Sequence, residues 1–412
     1  MKKWTPDNSE LILYRCQAEA GDILIGQELW MELDRLVEDI QTERYLYSTE
    51  DARIRMDFME NCIRLTKSPF YNRPMQLMQW EKAFTEALYS FKMPETGFDR
   101  FQRALLLIGR KNGKSEYCGG LANSEFITGP EGSDLVASSN DDAQASIVYD
   151  AIDTMRRLYD PRSLDTHRNQ QFILNRATNS KVYKLSDRTQ NKEGRNIDFA
   201  ILDESHEMKD NTIAKSIEQS QSIKDNPKFI EIPTEGFVED GYLDGGLRYA
   251  RAVIAGEKDD DVAAERFLPW LYTQDSELEV WNGTRENRLW MKSNPSIGVI
   301  KKWDYLEQQI AKARESKADR IFVLSKDFNI KQNAATAWLY GASSVNCTLL
   351  GIGERCGNCP LEAMVMEYAS LRGTTDGMDT TVITEIGEYF KNEMGYDIPP
   401  RTPFVGRDFN IT

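Results

Sequence analysis

Histidine is nearly missing from this chain: 412 residues hold two, His167 and His206, and they form no His-x-His pair. A metal centre built on paired histidines is therefore excluded. Six cysteines occur without an export signal, because no apolar stretch follows Met1-Lys-Lys-Trp-Thr-Pro. That combination argues for free thiols in a reducing compartment rather than for disulfides. No apolar run approaches the roughly 20 residues that span a bilayer. Basic charge is also in deficit, with 51 Lys and Arg against 66 Asp and Glu and a net charge of −15. A chain that grips nucleic acid through its phosphates shows a basic face. Any DNA contact here must be local, or come from an oligomer or a further segment. What is left is ordinary globular composition, 40% hydrophobic and 28% charged, in a chain long enough for about two or three domains.

The most informative stretch is Arg103 to Ser115. Ala104 to Ile108 reads as a buried strand, the loop ends in Gly113-Lys114-Ser115, and a helical run follows through Leu121 and Phe126. Strand, glycine loop and helix in that order form a phosphate cradle. Backbone N–H groups and the helix N-terminus face the anion, the lysine reaches the β/γ-phosphates and the serine hydroxyl can hold Mg²⁺. The strict pattern puts its first glycine where Ile108 stands, and Gly109 comes one residue late. Downstream, Phe199 to Leu202 is an apolar strand ending in two carboxylates, Asp203 and Glu204. A parallel sheet delivers its strand ends to one edge. There Asp203 can take magnesium, and Glu204 can polarise a water for attack on the γ-phosphate. Either motif alone has a plain alternative, a basic turn or an acidic strand end; their combination points to ATP hydrolysis.

The rest of the chain organises around these motifs. Residues 9–45 read as two amphipathic helices and about 51–67 as another, with one more after Pro74. Residues 103–233 alternate strand and helix, including a strand at 134–139, a helix from Asp141 to Leu158, a hairpin over 172–185 and a strand from Phe229 to Ile232. From Asp240 to about Asn333 the pattern is mostly helical. We divide the chain into residues 1–68 (helical), 69–240 (an α/β nucleotide-binding core with a mostly parallel sheet), 241–336 (helical linker) and 337–412.

Residues 1–336 resemble the large terminase subunit of tailed bacteriophages, a P-loop ATPase that drives DNA into a capsid. The resemblance rests on Gly109-Arg110-Lys111-Asn112-Gly113-Lys114-Ser115, on Phe199 to Glu207, on Thr234-Glu235-Gly236 and on Asp327 to Asn333. The late glycine is a habit of that family. The resemblance implies ATP and Mg²⁺ as cofactors, with Gly109, Lys111, Asn112, Gly113, Lys114 and Ser115 around the phosphates. Ser115 and Asp203 become the magnesium contacts, Glu204 the catalytic carboxylate and Thr234 the coupling residue. Arg110 stands where the family places a loop arginine that stabilises transition-state charge, or it is a solvated loop arginine. Gln79 falls in the adenine-contact segment, although Trp80 beside it also suits core packing. His206 reads as a turn histidine beside a packed strand. The implied partners are double-stranded viral DNA, the portal protein and the small terminase subunit. The implied setting is a ring on the portal in the host bacterial cytoplasm, with no membrane. The family's nuclease domain does not follow.

Residues 338–412 resemble another family, the TIM-barrel synthases that include isopropylmalate, homocitrate and Re-citrate synthase. The resemblance is carried by Tyr340 to Asn358, with Gly353-Glu354-Arg355-Cys356-Gly357-Asn358 its most specific part, and implies that Asn358 binds a divalent metal. Taken alone, the tail would suggest a metal-dependent acyl-CoA condensing synthase. The other metal ligands and the first barrel strands are missing, and one or two βα units cannot close a barrel, so no condensation is expected. Cys347, Cys356 and Cys359 lack a fourth zinc ligand. Asp376 and Asp379 read as a polar loop rather than as nuclease acids. The chain resembles a chimera joined near Thr336-Ala-Trp-Leu339, or else a fusion with a repurposed tail, and it stops in mid-pattern at Phe409-Asn-Ile-Thr412.

Overall fold

Short apolar runs become strands buried on both faces, and the amphipathic stretches between them become the covering helices. The computed structural model describes residues 4–185, 196–208, 211–236 and 241–331, and in the tail 347, 349–351, 360–372, 374, 375, 377–396 and 398. Two compact units result, Met1–Lys331 and Gln332–Thr412.

The first unit begins with α1 (Glu10–Ala20), α2 (Gln27–Gln41), β1 (Leu46–Tyr47), α3 (Glu50–Cys62), α4 (Gln79–Ser90) and β2 (Phe91–Lys92). Next come β3 (Arg103–Leu107), α5 (Lys114–Thr128), β4 (Asp134–Ser139), α6 (Asp142–Tyr159), β5 (Thr166–Arg168), β6 (Phe172–Asn175) and β7 (Lys181–Leu185). Then follow β8 (Ile197–Asp203), α7 (Thr212–Ser220), β9 (Lys228–Ile232), α8 (Tyr242–Ile254), α9 (Val262–Glu265) and β10 (Phe267–Leu271). The unit closes with α10 (Glu277–Asn282), α11 (Trp303–Glu315) and α12 (Lys317–Phe328).

Eight strands form the main sheet in the order β10-β3-β9-β8-β4-β7-β6-β5. Pairing is parallel from β10 to β7 and antiparallel between β7, β6 and β5. Alternation along the strands sends side chains to two cores. Ala104, Leu106, Phe199 and Ile201 join the cluster that also holds buried residues of α1 to α6. Leu105 and Leu107 pack with Leu243 and Leu247 of α8, and Ala200 and Leu202 pack with Ile213 and Ile217 of α7. A parallel sheet covered on both faces requires these continuous apolar strands. The topology also places β9 between β3 and β8, so the segment after Ile232 emerges between the phosphate loop and the acid pair.

Strand β10 departs from the helical pattern expected after residue 240. Phe267–Leu271 carries Pro269 in the middle of its apolar run. Yet Tyr272 N–H donates to the Leu107 carbonyl at 2.8 Å, so by alternation the Pro269 nitrogen faces away from β3. At a sheet edge that position needs no donor. The third helix also ends sooner than expected, at Cys62, after which Arg64 bridges Pro74.

Helix α4 has a buried acid in its first turn. Glu81 accepts the Met78 N–H at 2.7 Å, and burial pushes its carboxyl up to about 8 despite that bond. A folded-state pKa above the unfolded value gives stability that is full below about 4.5 and is lost as pH rises through about 8. Melting temperatures across that window should fall with pH, and Glu81→Gln should flatten the slope; an unchanged slope in the variant would remove Glu81 as its cause.

In the second unit the described residues form two helices, α13 (Leu361–Arg372) and α14 (Val382–Asn392), and a short turn at Leu349–Gly351. Leu350 N–H donates to Glu362 Oε2 at 3.1 Å. Val382, Tyr389 and Met394 are exposed. No strand occurs among the described residues there. Asn358, Cys356, Cys359, Asp376 and the 336–339 junction lie outside the described residues. No helix among the described residues is long and apolar enough to cross a membrane.

Candidate active site

The site is built at the C-terminal ends of β3, β9 and β8. After β3 the chain turns through Gly109 to Gly113 and enters α5, whose first residue is Lys114. Gly113 has φ 90°, a left-handed backbone that favours glycine at this turn. Ser115 occupies the first turn of α5, where unpaired N–H groups and the helix dipole favour an anion.

Lys114 is 6% exposed and its ammonium donates to the Ile232 carbonyl at 2.8 Å. It also lies 3.5 Å from Asp203 Oδ1 and 3.3 Å from Glu204 Oε1. Burial raises the Asp203 carboxyl above its ordinary range, Lys114 works against that rise and the neighbouring Glu204 adds to it. Burial would raise Glu204 as well. The His206 imidazole, with Nδ1 3.0 Å from Glu204 Oε2, and the charges of Lys114 and Arg110 together hold it far below the usual carboxylate range. Two adjacent acids thus separate in basicity, and Glu204 stays ionised. Its backbone is left-handed, φ 54° and ψ 37°, which for a non-glycine residue costs about 1–3 kcal/mol and is found at functional sites.

Thr234 follows β9 and is fully buried, with no hydrogen-bond partner for its hydroxyl among the described residues. Arg110 is half-buried, its guanidinium 5.8 Å from the Phe322 ring centre and within electrostatic reach of Glu204. Lys111 is exposed with φ 64°. The structure therefore brings Arg110, Lys114, Asp203 and Glu204 together. Gln79 instead opens α4, and its amide donates to Glu10 of α1 at 2.8 Å. It is Trp80 that connects to the loop. Its indole N–H donates to Ser296 Oγ at 3.0 Å, and Ser296 in turn donates to the Asn112 carbonyl at 2.8 Å.

The sequence reading missed a clamp around the loop. Asn112 is buried, and its amide donates to the Gly109 carbonyl and to Asn294 Oδ1 at 2.8 and 3.0 Å. Lys301 donates to Asn294 Oδ1 and to Asp327 Oδ1, both at 2.7 Å, and Asn294 donates to the Asp327 carbonyl at 2.9 Å. Helix α12 holds the coupling segment too. Lys326 donates to the Glu235 carbonyl at 2.9 Å, and Asn329 Oδ1 accepts the Glu235 N–H at 3.0 Å. The polar run Ser293-Asn294-Pro295-Ser296 between apolar stretches was the available signal. The clamp gives a stability expectation: Asp327→Ala leaves the buried Lys301 charge without its counter-ion, with only the Asn294 Oδ1 contact remaining, which should cost about 3–5 kcal/mol. Chemical denaturation would measure it, and a loss near zero would mean that Lys301 finds another partner.

A parallel sheet with a phosphate loop after one strand and an acid pair after another defines the P-loop ATPase fold class. Residues 79–252 match the family model "Terminase large subunit, ATPase domain", and residues 332–389 match the "HMGL-like" model. The large terminase of bacteriophage HK97 aligns with TM-score 0.58 and 20% identity, over 68% of this chain and 55% of that one, a likeness of fold. The tail is 59% identical over 85 residues to citrate (Re)-synthase of Clostridium kluyveri, covering 21% of this chain and 19% of that protein. It is 62% identical over 80 residues to the enzyme of Syntrophus aciditrophicus, covering 19% and 13%. The chain spans under a fifth of these synthases' length. A terminase-type ATPase segment is thus followed by a synthase-type segment, as the motifs indicated.

Proposed function

We propose that residues 1–331 bind and hydrolyse ATP as the motor part of a phage DNA-packaging terminase. The observation that supports this most is the placement of Lys114 within 3.5 Å of both Asp203 and Glu204 at the strand ends. Triphosphate entering the loop meets the α5 N-terminus and draws the Lys114 ammonium onto its β/γ-oxygens, away from the acids. Glu204, ionised and freed from that ion pair, takes a proton from the attacking water. Arg110 faces the charge that builds on the departing phosphate. Thr234 offers a buried hydroxyl between loop and acids, suited to sense the γ-phosphate.

Magnesium fits this site. Asp203 and Ser115 provide hard oxygen donors, and the Asp203 carboxyl is buried at the strand end beside the phosphate loop. Mg²⁺ usually takes one or two such protein oxygens together with substrate phosphates rather than a full protein cage. When bound, it screens the phosphate charge. Ser115 and Asp203 would hold it.

Double-stranded DNA, the portal protein, the small subunit and a ring on the portal in the host cytoplasm belong to the same proposal, supported by the family match of residues 79–252. DNA cleavage and acyl-CoA condensation do not. The residues after the ATPase segment match a synthase model, and they correspond to only 19% of such an enzyme. The test is phosphate release from ATP by the purified chain, with and without Mg²⁺ and with portal rings added. Magnesium-dependent release supports the reading, and none under any of these conditions overturns it.

A further inference from the structure

His206 has no role in the reading above, yet it sits at its centre. The imidazole is buried, with Nδ1 3.0 Å from Glu204 Oε2, the carboxylate oxygen that does not face Lys114. Its other side is set against the coupling segment. A Cβ placed on Gly236 would lie 2.8 Å from His206 Cβ and 3.0 Å from Cδ2, so Gly236 leaves only backbone against the ring. The segment is itself fixed by α12, through the bonds from Lys326 and Asn329 to Glu235. Glu204 needs such support, because its left-handed backbone does not by itself aim the carboxylate.

We propose that His206 is a positioning residue for the catalytic carboxylate: its Nδ1–H holds Glu204, and its contact with Gly236 makes the carboxylate's place follow the Thr234–Gly236 segment. Movement of that segment on γ-phosphate release then withdraws Glu204 from the water. A histidine that only filled space would be served by any side chain of similar volume. A histidine that donates from Nδ1 would not. Asparagine carries an N–H where Nδ1 stands, whereas glutamine carries one where Nε2 stands and is longer by one methylene, so a purely space-filling role would favour glutamine, the closer match to histidine in volume.

The inference rests on the ATPase reading, and one set of measurements separates them. ATP turnover against concentration and binding of a fluorescent ATP analogue would be measured for the full chain and for His206→Ala, His206→Asn and His206→Gln. Misplacing the carboxylate should lower kcat about a hundredfold in His206→Ala with KM and analogue affinity unchanged. His206→Asn should stay near the parent rate, and His206→Gln should fall with the alanine variant. Equal rates for the Asn and Gln variants, or a change in KM alone, would overturn the inference while leaving the ATPase reading in place. The Asn–Gln comparison also decides the matter if His206→Ala does not fold. No turnover by the unsubstituted chain would instead overturn the ATPase reading and the inference with it.

Discussion

Glu204→Gln should lower kcat for ATP by about 10²–10⁴-fold while nucleotide still binds. The substitution keeps the side chain's shape and its place near Lys114, but it removes the proton acceptor. The environment shows why the acid matters. His206, Lys114 and Arg110 hold Glu204 ionised in a site whose burial alone would favour the neutral form. Binding should persist because the loop, the α5 N-terminus and Lys114 are untouched. An equilibrium titration with a fluorescent ATP analogue beside steady-state turnover would separate the two effects. Full activity in this variant would remove Glu204 from the role of base.

Lys114→Ala should act differently, lowering kcat/KM by at least about 10²–10³-fold and weakening binding as well. The ammonium is the buried positive charge shared by the Ile232 carbonyl, Asp203 and Glu204. Removing it takes the cation from the triphosphate and leaves two carboxylates side by side, a like-charge pair that favours protonation of one of them. ATP should then no longer raise the melting temperature, whereas it should still do so for the glutamine variant. Undiminished thermal protection by ATP in Lys114→Ala would show that the loop backbone alone holds the phosphates.

Strands β3, β8 and β9 were legible because a parallel strand covered on both faces is mostly apolar, as in Ala104–Leu107, Phe199–Leu202 and Phe229–Ile230. The phosphate loop and acid pair were legible because each is local in sequence. Topology was not. That β9 lies between β3 and β8, bringing Thr234 between loop and acids, depends on pairing that no local pattern encodes. Strand β10 lies in a stretch that reads as mostly helical, and only the sheet reveals the outward-facing nitrogen of Pro269. The Asn112–Asn294–Lys301–Asp327 clamp joins residues far apart in sequence, each an unremarkable polar residue where it stands. His206 was read as a turn residue, and its approach to the Glu204 carboxylate became visible only with the fold.

Helix α12 and the residues that end it define a seam. Lys331, the last residue of the first unit, reaches back to Asp244 at 2.9 Å, and every described contact around the phosphate site comes from residues at or before it. The segment that changes family begins at residue 332. A splice placed there cuts none of those contacts. Among the described residues, the bonds that fix the phosphate loop and the coupling segment are thus a set assembled from one side of the join.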